Sequence, residues 1–158
     1  MSEELRIARD ILKLEVNAFD GSRSKWHVWK KEFGFSIKGL PYNLDRVLTS
    51  VKIFGPPKDE DETKLEDLKK CIEIHKCSMR ALRATLVKCL QPELVSKLIT
   101  LPPWTSKQAM EGTGLKPPII KALDLPDVLD DDPHVATMFK YLRSEFEATT
   151  QAERQALW

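Results

Sequence analysis

"KLEDLKKCIEIHKCSMRALRATLVKC", Lys64 to Cys89, is the stretch that decides the class of this chain. Leu65, Leu68, Ile72, His75, Met79, Leu82, Leu86 and Cys89 follow one another at steps of three and four, the period of one face of an α-helix. A second row, Cys71, Ile74, Ser78, Ala81 and Thr85, widens that face with small side chains. A face so broad needs neighbours on at least two sides, which predicts a long central helix. The acidic lead-in "KDEDETKLED" suits the positive end of its dipole.

Working outward from it, strand signals are nearly absent, so the class is all-α: a compact bundle of about five to seven helices. Upstream, Glu3 to Glu15 reads as a helix with Leu5, Ala8, Ile11 and Leu12 on one side, broken by Asn17 to Gly21. A second helix starts near Ser22 or Ser24, either of which can cap it. Trp26, Trp29, Phe33 and Ile37 form one stripe on it, which predicts tryptophans packed in the core and lysines turned outward. A short helix from Asn43 to Val51 offers Leu44, Val47, Leu48 and Val51 to the same core, and Gly55-Pro56-Pro57 stops it.

Downstream of Gln91-Pro92, a brief helix from Glu93 to Ile99 precedes residues 101–133, which hold six of the ten prolines. That segment reads as a Pro-rich insert or surface loop with one helical turn near Ile119 to Leu123. A last clear helix starts near Asp132-Pro133 and places Val135, Phe139, Leu142 and Phe146 on one face. "TTQAERQALW" reads as a further helix cut at its start, as if Trp158 ended within a larger polypeptide. The expected organisation is a helical core domain over 1–100, the 101–133 insert, and C-terminal helices over 134–158 packing on the same core.

At 158 residues, 42% apolar, 31% charged and with a formal charge of +1, the chain has no strong overall pull toward polyanions. The charge is uneven, however. Between Gly21 and Lys52, Arg23, Lys25, Lys30, Lys31, Lys38, Arg46 and Lys52 face only Glu32 and Asp45; between Leu123 and Phe146, Asp124, Asp127, Asp130, Asp131, Asp132 and Glu145 outnumber the bases. A basic front and an acidic rear imply either two solvated faces or complementarity, within the molecule or between copies. Three cysteines, Cys71, Cys77 and Cys89, cannot all pair, and reduced thiols in an intracellular, cytoplasmic setting account for them. The start "MSEEL" is acidic where a signal peptide would be basic, and no apolar run approaches the roughly 20 residues of a membrane span.

No catalytic constellation emerges. "CIEIHKC" places Cys71 and His75 four apart, but Cys77 falls away from both and His75 lies in the apolar seam, so core thiols and a buried histidine are expected rather than a metal site. Nothing resembles a nucleophile turn or a phosphate-cradling glycine loop. Asp130-Asp131-Asp132 lacks the alternating spacing of a calcium loop and reads as an acidic lead-in to a helix. Neither an enzyme, nor a cofactor, nor a small-molecule substrate is expected.

The order of features resembles the N-terminal part of Gag polyproteins of copia-type LTR retrotransposons. "FDG" (Phe19, Asp20, Gly21) is followed by "WHVWK" (Trp26 to Lys30), an aromatic helix through Phe33 closing on Gly39-Leu40, and a short helix at Asp45 to Leu48. "SMRALRATLVKCLQPELVSKL" resembles that family's long small-residue-rich helix, and "ATMFKYLRSEF" its later helix, with Phe139 where a tryptophan is frequent. The 101–133 insert and the N-terminal helix depart from the pattern. The resemblance implies a capsid-type structural protein that associates with copies of itself into a homo-oligomeric shell enclosing RNA, without catalysis and without membrane contact. On that reading Asp130, Asp131 and Asp132 are candidates for self-association, while Arg23, Lys25, Lys30, Lys31, Lys38 and Arg46 contact nucleic acid or an acidic partner. Two alternatives stand beside it: a helical adaptor binding a peptide or partner helix, and a basic-patch nucleic-acid-binding domain.

Overall fold

The computed structural model describes residues 2–53 and 65–147. Among these the chain is mostly helical, and the helix over Leu65 to Cys89 is the axis of the fold. In chain order the elements are α1 (Glu3–Leu12), α2 (Arg23–Lys38), α3 (Leu44–Thr49), α4 (Leu65–Cys89), α5 (Pro92–Leu98), β1 (Trp104–Thr105), α6 (Ser106–Met110), α7 (Pro117–Leu123), β2 (Val128–Asp130) and α8 (Val135–Glu147). The predicted helices over "TTQAERQALW" and the Gly55-Pro56-Pro57 stop lie outside the described residues.

At 25 residues, α4 is about 37 Å long. Its seam from Leu68 through Ile72, His75, Met79, Leu82 and Leu86 to Cys89 is buried, and so are Ser78, Ala81 and Thr85 of the second row. Small side chains on that row let neighbours approach closely: α1 packs along α4, and α3, α7 and α8 close on it too. Cys71 departs from the row and is exposed.

The buried line of α1 is Ile7 and Ile11, supported by Ala8 and Leu14. Leu5 and Leu12 are 61% and 54% exposed, so they do not join Ile11 on the core side as the sequence suggested. At about 100° per residue, Leu12 is a quarter turn from Ile11, whereas Leu5 and Leu12, seven apart, share one outer line.

On α2 the aromatic stripe is where its period puts it, with Trp26 and Phe33 wholly buried and Trp29 nearly so. Trp26 stacks on Trp29 at 5.6 Å and Trp29 on Phe33 at 5.2 Å. Phe19 meets Trp26 edge-on at 5.4 Å, and Phe146 of α8 stacks on Trp26 at 5.5 Å. Contacts of this kind are worth about 1 kcal/mol each beyond burial. They weld α8 to α2 although more than a hundred residues separate them.

The start of α2 is secured differently from the expected serine cap. Ser22 occupies the cap position without a side-chain cap bond; instead Asp20 Oδ1 accepts the Ser22 N–H at 2.9 Å, and Lys25 pairs with Asp20 at 3.1 Å. Gly21 takes φ +84°, which a side chain would strain, and a Cβ there would lie 3.2 Å from Gln91 Oε1. The turn is tied to the end of α4 by Phe19 N–H donating to Cys89 O and Gln91 Nε2 to Asp20 O.

Residues 101–133 are mostly exposed and hold the expected helical turn within α7, but they carry more structure than a surface loop. Trp104 is 1% exposed, stacks on His75 at 5.4 Å and donates its indole N–H to Val51 O. A capping box between Thr105 and Gln108 starts α6, which buries Ala109 and Met110, while Leu123 and Leu129 seal the other end. β1 and β2 pair antiparallel, Trp104 opposite Asp130 and Thr105 opposite Val128. Pro117 and Pro118 sit where a helix can use them, at the first turn of α7, and the segment completes the core beside α4.

Candidate functional site

The basic front is divided by the fold into paired and unpaired groups. Lys25 is held by Asp20, and Lys30 is half-buried against the Glu147 carboxylate of α8. Burial pushes the Glu147 carboxyl up, but hydrogen bonds from Lys30 and Arg143, with the Trp26 indole N–H nearby, outweigh it and hold the group at about 2. Trp26 Nε1 itself has no hydrogen-bond partner among the described residues. Lys30 is therefore spent on joining α2 to α8. Arg46 is half-buried on α3, and Arg23 is exposed at the start of α2. Lys31 and Lys38 are exposed and have no ion pair among the described residues.

Between those two lysines the outer face of α2 carries apolar groups. Val28 is 62% exposed and Phe35 73%, so Val28, Lys31, Phe35 and Lys38 make one solvent-facing line at steps of three and four. Phe35 lies about 200° around the helix from Phe33, which is how one helix presents aromatic rings on opposite sides. That angle was available from the sequence, yet attention to the Trp26, Trp29, Phe33 stripe leaves Phe35 unassigned.

The acidic rear is divided likewise. Asp130 is withdrawn from the surface its neighbours occupy: its side chain is 8% exposed and accepts from Arg80 Nε at 3.0 Å and Arg83 Nη2 at 3.1 Å. Burial pushes this carboxyl up, while the Asp132 N–H and the two arginines hold it below the ordinary range. Arg83 also donates to Pro133 O at 3.0 Å, fixing the bend that leads into α8. Asp131, Asp132 and Asp127 remain exposed, and beside them Val128 of β2 is 41% exposed. The outcome is an exposed Val128 beside Asp127 in an aspartate-rich stretch, whose Asp132 lies 3.9 Å from Arg83, and apolar groups interleaved with lysines on α2.

The interior contributes one polar pair. His75 and His134 are buried with their Nε2 atoms 2.9 Å apart, and Trp104 packs on both rings. Burial pulls both imidazoles well below their usual pKa, His75 also feeling Arg46, and His134 feeling His75 and Arg83. Among the thiols, burial pushes Cys77 and Cys89 up, which disfavours the reactive thiolate. No described helix is long and apolar enough to cross a membrane.

No family model matches the chain, and no curated protein or solved structure gives a significant match.

Proposed function

We propose that this chain is a Gag-like, capsid-type structural protein that associates head to tail with copies of itself and encloses RNA, with no chemistry of its own. The observation that carries the reading is the pairing of opposites on one molecule: Val28 and Phe35 among Lys31 and Lys38, and Val128 beside Asp127 in the aspartate-rich stretch with Asp131 and Asp132. Apolar contact supplies attraction and the charges set orientation and register. Two different patches that fit each other make a heterologous contact, which propagates into rings or open arrays rather than stopping at a dimer. A cytoplasmic setting suits reduced thiols.

The test is the mass of the full chain by light scattering as concentration rises, at low and high salt. Growth of oligomers that high salt weakens is the expected result, since exposed charges are screened within about 10 Å at 0.1 M salt. A strict monomer at the highest soluble concentration in low salt overturns the reading. Should it remain monomeric yet retain nucleic acid through Lys31 and Lys38, the basic-patch binding domain becomes the better account.

A further inference from the structure

A groove of about 910 Å³ runs between the end of α3 and α8. Its floor is apolar, built from Leu48, Val51 and Phe139, and its rim carries Lys52, Lys140 and Arg143. Among the described residues Glu147 is the only carboxylate lining it, and that charge is already engaged by Lys30 and Arg143. Lys52 and Lys140 are exposed and have no ion pair among the described residues, so among those residues the positive charge of the groove is uncompensated. Lys52 is also positioned: Gly112 has φ +71°, and a Cβ there would lie 2.8 Å from Lys52 Nζ.

We propose that this groove is a docking site for a short acidic peptide of a partner protein. The lining extends along α8 from Ala136 to Glu147, about 16 Å of helix, which matches three turns of a bound helix or about five extended residues. Lys140 and Arg143 stand one turn apart on the α8 wall and Lys52 follows α3 on the other, so the positive groups come from both sides of the groove. That spacing suits carboxylates distributed along a peptide better than one small anion. RNA is the poorer fit, because base stacking needs an exposed aromatic face and Phe139, the ring in the floor, is 6% exposed. Apolar side chains of the peptide rest on the half-buried Val51 and on the aliphatic stems of Lys52 and Lys140, while its carboxylates reach the rim. The groove shares no residue with the faces assigned to self-association, so either reading can fail without the other.

The experiment is fluorescence anisotropy of the full chain with a labelled peptide of about twelve residues, roughly three helical turns, combining Asp and Glu with Leu and Phe four apart. The same peptide with Lys in place of its acids, and an oligouridine of similar length, serve as competitors. The acidic peptide binds, neither competitor displaces it, and Lys52→Glu with Lys140→Glu weakens it about tenfold or more. Lys97→Glu on the exposed side of α5 leaves binding unchanged, and circular dichroism reports that each variant folds. The proposal is overturned if the acidic peptide does not bind, if the double variant binds as tightly as the parent, or if oligouridine competes at lower concentration.

Discussion

His134 Nδ1 accepts the Ala136 N–H at 2.8 Å, which it can do only without a proton of its own. The neutral ring must then carry its proton on Nε2 and donate to His75 Nε2, leaving His75 protonated on Nδ1. A backbone bond at the start of α8 thus sets the tautomers of both rings. A second proton on either ring would sit in a buried site under Trp104, facing Arg46 and Arg83, with Asp130 the only nearby counter-charge. Both folded-state pKa values are depressed, so the folded protein binds fewer protons than the unfolded chain and stability falls as pH drops from about 6.5 toward 4. For His75 alone the loss is on the order of 3 kcal/mol. His75→Gln keeps an acceptor for His134 Nε2–H but removes one titrating group. Urea unfolding across that window is expected to show the slope of stability against pH roughly halved, with about 1–2 kcal/mol lost at neutral pH from the missing ring contact. An unchanged slope would mean that the pair does not govern acid stability. Glu147 acts separately: its carboxyl is depressed to about 2, so its contribution is intact above about 4.5 and fades below that.

Among elements, the bend from β2 into α8 depends on Asp130, whose two arginine partners differ in exposure. Arg83 is 15% exposed and Arg80 54%. Asp130→Ala leaves Arg83 half-buried and without its nearest carboxylate, and is expected to lower stability by about 2 kcal/mol. Arg80→Ala removes an exposed partner and is expected to change it by less than about 1 kcal/mol. Denaturant midpoints at neutral pH check the difference, and equal effects would contradict the assigned geometry. The same segment shows what the sequence conveys and what it withholds. Long helices were legible because α4 and the aromatic stripe of α2 repeat at 3.6 residues over many turns, and the turn at Asp20-Gly21 announces itself chemically. Beyond the turn near Ile119 to Leu123 that α7 contains, residues 101–133 read as loop because proline density hides short elements: α6 is 5 residues, and the β1–β2 pair is made by partners over twenty residues apart. Trp104 gave a signal as a large apolar side chain inside that run, but only its stacking on His75 reveals its place. The charged residues were legible as two groups, not as individuals. Whether Lys30 faces a partner or Glu147 depends on how α2 meets α8, which no local pattern encodes.

At the scale of the whole molecule, a head-to-tail contact makes a prediction that a symmetric dimer does not. Phe35→Asp disables the lysine-flanked face, and Val128→Lys disables the aspartate-flanked one; both side chains are exposed, so neither change disturbs the core. If Val28 and Phe35 of one copy meet Val128 of the next, each variant alone retains one competent face and finds no partner for it. Both should remain monomeric where the parent chain associates. Mixed in equal amounts, the intact Val128 face of the Phe35→Asp chain can meet the intact Phe35 face of the Val128→Lys chain. The mixture should therefore give a heterodimer and nothing larger, because the two remaining faces of that dimer are both disabled. Were the contact instead isologous, Val128→Lys would still pair through Phe35 in isolation, and mixing would add nothing. Sedimentation velocity on the two variants and their mixture separates these outcomes. Raising salt should dissociate the heterodimer, since Lys31, Lys38, Asp127, Asp131 and Asp132 are exposed and their attraction is screened.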